Sequence, residues 1–428
     1  MNTGRPKVFI TGTGAVCASG MHPAEILAAL REGRSAIGPI RQWDTTGWPI
    51  AVAAEMPDFN PRALVEDRKL HKMIRRSDML GLYAASRAVD EASFTAHRDT
   101  LNADEAATFS DRSGIYVGSG GGAYKSQYEF FPLMSESHGD LEIFGRELGS
   151  SVNPMWLLST LPNNVLCHVG IKYALKGTNA CITNHSAGGT LAVIEGAEAL
   201  RQGEADRVVA VGHDAPIEPQ LLLSYHRCGL LSRDTIRPFD VARCGSVFGE
   251  GSGAFTLETE RAVADRSATV LGEVLGGGYA TEAMGLLAIR DDGDGLARAI
   301  SGALDDAGLA PRDVGMIVAH GNGTRQSDAS EAAAIRTCFG TGENAPPVTA
   351  FKWAIGHLIA AAGIIEAVIA LAALRERIVP GVATLGTLDL ACAGLCVSRA
   401  AQAPRSNVAL ILSRGFAGTN AALLISAT

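Results

Sequence analysis

The chain has 428 residues, 47% hydrophobic and 19% charged, and a formal net charge of −8. This is the composition of a globular protein with a large core and two to three domains' worth of chain, and an acidic balance without a long run of one sign excludes nucleic acid as the main partner. Eight scattered Cys form no C-x-x-C pair and have no matching His cluster, which excludes a disulfide frame or zinc site and fits buried thiols in a reducing cytoplasm.

The first residues, MNTGRPKVFITGTG, lack the apolar core of a signal peptide. The pattern then predicts a strand, KVFITGTGAV, a Gly turn and a helix, HPAEILAALREG. Gly12 and Gly14 invite a dinucleotide-binding reading, but the third glycine of that fingerprint is missing and no acidic ribose ligand follows. The run RKLHKMIRRSD (68–78) is the best basic patch for an acidic partner, with a solvated helix face as the competing reading.

A faint internal repeat follows. DRSGIYVGSGGG (111–122) and DVGMIVAHGNGT (313–324) each predict an apolar strand ending in a Gly-rich loop. NACITNHSAGGTLAVIEGAEALRQG and VTAFKWAIGHLIAAAGIIEAVIALAAL (348–374) each predict a short segment feeding a helix. DRVVAVGHDA with GSGAFTLETE, and NVALILSRGFAG with NAALLISAT, predict a strand pair late in each half. Strands alternating with helices imply a mostly parallel α/β arrangement, duplicated, with its halves meeting near residue 256. The apolar run 354–374 is long enough to span a bilayer. It contains His357 and Glu366, is rich in Ala and stands alone, so a buried core helix is predicted instead.

A duplicated α/β chain places its site where the halves meet, at strand ends and helix N-termini. Ser186 comes there from one half; His320, Lys352 and His357 come from the other. Ser186 begins a predicted helix, so its hydroxyl is either an N-cap or a nucleophile beside free N–H groups. Gly188 and Gly189 leave room for a substrate. Lys352 precedes an apolar helix and needs a carboxylate if buried, with Glu331 or Asp328 as candidates. His185 is read as structural, its side chain directed away from that of Ser186.

These motifs resemble, essentially end to end, the β-ketoacyl-acyl-carrier-protein synthases of the elongating, synthase II-like kind. The resemblance rests on VFITGTGAVCASG, RPFDVARCGSVFGEGSGAFTLE (237–258), AHGNGTRQSDASEA, FKWAIGHLIAAAGIIEA and GFAGTNAALLI. It implies an α/β thiolase-like fold of two pseudo-symmetric αβαβα halves with layered mixed sheets, residues 1–256 carrying the nucleophile and 257–428 the His/Lys/His motifs. It implies that His320 and His357 hold a thioester carbonyl, that Lys352 is ion-paired to Glu331, and that Asp328 supports the histidine loop. Phe416 resembles a gating aromatic, and Thr324 and Asn322 fall where the pantetheine arm is touched. The reaction implied is a decarboxylating condensation of an acyl chain with malonyl-carrier protein. Substrates would ride on acyl carrier protein, with no permanent cofactor or metal, in a cytoplasmic homodimer or a heterodimer with a Cys-bearing paralogue.

The sequence departs from that family at the nucleophile, where Ser186 replaces a cysteine; Asn184, His185 and Arg414 also differ from the usual residues. A hydroxyl needs a base to remove its proton as it attacks. Four readings follow: condensation through Ser186; decarboxylation or acyl transfer without extension; a chain-length-setting partner of a Cys-bearing subunit; and a serine hydrolase, which would lack a G-x-S-x-G elbow because Asn184 and Gly188 flank Ser186.

Overall fold

The computed structural model describes residues 5–57, 60–120, 130–153, 155–342 and 345–428. The last two residues of the Gly-rich loop expected over 111–122 lie outside the described residues. In chain order the first half contributes β1 (Val8–Cys17), α1 (Pro23–Arg31), α2 (Arg76–Glu91), β2 (Ser113–Ser119), α3 (Asn164–Tyr173), β3 (Asn179–Ile182), α4 (Gly188–Arg201), β4 (Arg207–Asp214), α5 (Pro219–Arg227) and β5 (Gly251–Thr259). The second contributes β6 (Gly272–Thr281), α6 (Asp294–Ala307), β7 (Met316–Val318), α7 (Arg325–Phe339), β8 (Pro347–Thr349), α8 (Ala362–Arg375), β9 (Cys396–Val397), β10 (Val408–Gly415) and β11 (Thr419–Ala427).

The strands form one 11-stranded sheet in the order β9-β8-β7-β10-β11-β6-β1-β5-β4-β2-β3. Outward from its middle, one side reads β1-β5-β4-β2-β3 and the other β6-β11-β10-β7-β8. With the two-residue edge strand β9 set aside, both sides have the same first-fifth-fourth-second-third strand order. The directions repeat as well: β4–β2 and β10–β7 are parallel, while β4–β5 and β10–β11 are antiparallel. The duplication legible in the sequence is therefore a repeated topology. Within the sheet the halves join through Phe9↔Glu273 and Ile10↔Gly272. The junction expected near residue 256 falls inside β5, which runs on to Thr259; the chain passes between the halves over residues 260–271.

The layers follow from which faces are apolar. Helix α2 covers the outer face of the first half-sheet and α6 that of the second, while α4 and α8 pack on each other between the sheets. Helix α8 is buried all round from Ala362 to Leu371, so a uniformly apolar sequence is what its central position requires. No helix among the described residues is long and apolar enough to cross a membrane. Gly12 and Gly14 have a packing reason. A Cβ on either would stand 2.0 Å from the carbonyl oxygen of Ala88 or Ala84, so only glycine lets α2 lie this close to β1.

Candidate active site

The chain enters each central helix through the same device. A one-turn 3-10 segment, His185–Ala187, precedes α4, and Ile359–Ala361 precedes α8. Its first residue is left-handed in both, with φ 47° at His185 and 42° at Ile359. Such a backbone is costly for a side-chain-bearing residue and marks a position held by its surroundings. Ser186 follows that bend, fully buried.

Ser186 is not a helix cap. The helix starts at Gly188, and no side chain caps either it or the 3-10 turn. Its Oγ lies 2.9 Å from His185 Nδ1 and 3.2 Å from His357 Nε2. His185 therefore turns toward Ser186, contrary to the sequence expectation. The other face of its ring stacks on Phe416, at 4.3 Å between centroids, and its Nε2 hydrogen-bonds the Tyr225 hydroxyl on α5. Tyr225 carried no motif and was not legible beforehand; it arrives through tertiary packing alone.

His320 ends the β7 loop with its ring centroid 5.1 Å from that of His357. Two carboxylates hold this loop. Glu331 accepts from the backbone N–H of His320 (2.6 Å) and of Gly321 (2.9 Å). Asp328 accepts from Gly323 N (3.1 Å) and Phe239 N (2.8 Å). Burial raises the Asp328 carboxyl to about 7 and lifts Glu331 as well.

Glu331 is not the partner of Lys352, and neither is Asp328. The Lys352 ammonium donates to Glu366 Oε1 at 2.7 Å, both groups fully buried. The reason is geometric: Glu331 spends its oxygens on two loop N–H groups, while Glu366 projects from α8 toward the lysine. A signal for this pair existed in the sequence. Glu366 is the one acidic residue of the apolar run 354–374, and a carboxylate inside an apolar layer needs a buried cation. Burial raises Glu366 to about 7, against the pull of Lys352.

Burial first, then the Lys352 ammonium, hold both His320 and His357 well below the ordinary histidine value. Both rings are neutral at pH 7. The backbone N–H of Arg414 points at His320 Nδ1 at 3.4 Å. The Asn322 amide nitrogen stands 3.4 Å from His320 Nε2, with its Oδ1 turned the other way to accept from the backbone N–H and the hydroxyl of Thr324. Two neutral imidazoles beside Ser186 are fit to donate to a developing oxyanion. His357 Nδ1 has no partner among the described residues. The acid that would orient a hydrolase's histidine is thus missing from it.

Arg414 makes an unforeseen buried pair with Glu282 (2.8 Å) and bonds Asn420 Oδ1, Ser327 O and Ser330 Oγ. It ties the end of β10 to α7, the helix carrying Asp328 and Glu331. A cavity of about 440 Å³ meets Ser186, His320 and His357, and its wall includes Thr324, Asn322 and Phe416 together with Leu286 and Ile289. All the expected site residues except Lys352, Glu331 and Asp328 line this cavity; those three act from behind it. The described residues hold no His/Cys/Asp/Glu cluster suited to a metal ion.

Residues 5–262 match the β-ketoacyl synthase N-terminal domain and residues 271–385 its C-terminal domain. The chain belongs to the β-ketoacyl synthase family. This synthase-family chain is 30% identical over 427 residues to the 3-oxoacyl-[acyl-carrier-protein] synthase 2 of Coxiella burnetii, covering 98% of each chain. It is 30% identical over 421 residues to nodulation protein E of Rhizobium meliloti, covering 97% of this chain and 98% of that one. Among solved structures it resembles the ishigamide ketosynthase/chain length factor, with a TM-score of 0.86, 29% identity, and 99% and 100% of the two chains covered. The α/β fold is thus the thiolase-like one of the ketosynthases, and its family is one of acyltransferase-type condensing enzymes.

Proposed function

We propose that the protein catalyses a decarboxylating condensation of 3-oxoacyl-carrier-protein synthase type, with Ser186 as acyl acceptor. The observation that carries this reading is the buried Ser186 hydroxyl 3.2 Å from His357 Nε2, with His320 on the same cavity wall. An acyl chain passes from the phosphopantetheine arm of acyl carrier protein to Ser186. Malonyl-carrier protein then loses carbon dioxide while His320 and His357 donate to the enolate oxygen. The carbanion attacks the acyl group, and a β-ketoacyl product leaves in a fatty-acid or related lipid or polyketide pathway. Glu331 and Asp328 fix the loop of His320, and Lys352 keeps both imidazoles neutral. Thr324 and Asn322 meet the pantetheine arm, and Phe416 gates the acyl pocket. The protein carries no resident cofactor in this reading.

The test is incubation with acyl- and malonyl-carrier protein, followed by intact mass and product analysis. A covalent acyl adduct that disappears in Ser186→Ala, together with elongated product, is the expected result. Carbon dioxide release without elongation would instead assign a non-extending decarboxylase. One observation favours a second reading, a chain-length-setting partner of a Cys-bearing synthase. A serine ester is a weaker electrophile than a thioester, and about 4 kcal/mol less barrier lowering slows a step roughly a thousandfold. The likeness to a ketosynthase/chain length factor agrees with it. In either case a dimer is proposed, because helix 141–151 buries none of its residues and leaves Leu141 81% exposed.

A further inference from the structure

In the proposed condensation His320 and His357 serve as donors to the enolate oxygen. A backbone N–H points at His320 Nδ1, and His357 turns Nε2 to the Ser186 hydroxyl at 3.2 Å. A serine in this seat still has to lose a proton, and a donor cannot take it. The remaining ring on Ser186 is His185, whose Nδ1 is 2.9 Å from Oγ. Its Nε2 is engaged by the Tyr225 hydroxyl, and the ring is stacked against Phe416. That stack and the left-handed bend at His185 fix the imidazole's orientation.

The geometry points to His185 as the general base that takes the Ser186 proton during acyl transfer, with Tyr225 as its positioning residue. The inference rests on the reading of Ser186 as acyl acceptor. The tautomer is consistent throughout: Nε2–H donates to the Tyr225 oxygen, and Nδ1 offers its lone pair to the serine. Oγ then attacks the thioester carbonyl carbon as its proton moves to Nδ1. The oxyanion collapses, the C–S bond breaks, and the departing carrier thiolate takes the proton back from Nδ1. The result is an acyl ester on Ser186 and a free carrier thiol, with no oxidant or metal involved. Burial holds His185 down at about 4, so the base form is present at neutral pH. The base belongs to the departure at the nucleophile: a thiol ionises readily by itself, whereas a hydroxyl does not.

The experiment is single-turnover acylation of the full-length protein by an acyl-carrier protein, timed by intact mass. In the native background His185→Ala should slow acylation by about 100-fold or more, and free imidazole should restore part of the rate. Tyr225→Phe should slow it by roughly 10-fold, less than the loss of the base itself, whose contribution is about 10²–10⁴-fold. In the Ser186→Cys background both changes should cost less than about 10-fold, since a thiolate needs no base. Equal losses in the two backgrounds, or an unaffected His185→Ala protein, would overturn the inference while leaving Ser186 as acceptor. A native protein that takes up no acyl group, when Ser186→Cys does, overturns the reading and the inference together.

Discussion

At the scale of single residues the site is a balance of buried charge. Lys352 and Glu366 are both fully buried, so removing one partner strands the other. Lys352→Ala should cost about 3–5 kcal/mol in denaturant unfolding, and a paired Lys352→Met, Glu366→Leu change should recover most of it. Recovery of stability without recovery of carbon dioxide release would separate the lysine's electrostatic role from its structural one. Each histidine donor has a cost of its own: His320→Ala or His357→Ala should lower decarboxylation about 10²–10³-fold. The sign of the pH effect follows from the lowered values of both rings. Neutral imidazoles persist as pH falls through the ordinary histidine value near 6.5, and protonation sets in only well below it. Neither ring should therefore show a protonation step there when its imidazole NMR shifts are followed; a step centred near 6.5 would show that burial does not hold the rings neutral.

At the scale of elements the site depends on how closely helices approach strands. The two central helices can meet because small residues line their contact: a Cβ on Gly189 would stand 2.7 Å from the Ala360 carbonyl oxygen. The same logic governs α2 on β1. Gly14→Ala would drive a methyl group to 2.0 Å from a backbone oxygen that cannot rotate away. It should destabilise the protein by at least about 3 kcal/mol. Gly302→Ala in α6 meets nothing closer than 3.7 Å and should be neutral or stabilising by up to about 1 kcal/mol. Thermal unfolding of the two variants side by side tests whether close approach, rather than chain flexibility, fixes the glycine at position 14.

At the scale of the whole molecule, the repeated strand order brings the N-terminal ends of two equivalent helices together, one offering Ser186 and the other His357. If the uncovered apolar helix 141–151 is the dimer face, sedimentation should give twice the mass of the 44.6 kDa chain, and Leu141→Glu with Ile143→Glu should shift it toward one copy. The duplication, the alternation of strands and helices and the buried nature of 354–374 were all legible in the sequence, because periodicity and apolarity are local properties. Ser186, His320 and His357 could be singled out there too, since their strand-end and helix-start settings are local. Only the tertiary structure decided that Lys352 pairs with Glu366, that Glu331 holds a loop, and that His185 faces the serine with Tyr225 behind it. Those outcomes depend on distances between segments far apart in the chain, and a buried charge or hydroxyl chooses its partner by which group packing brings within hydrogen-bond reach.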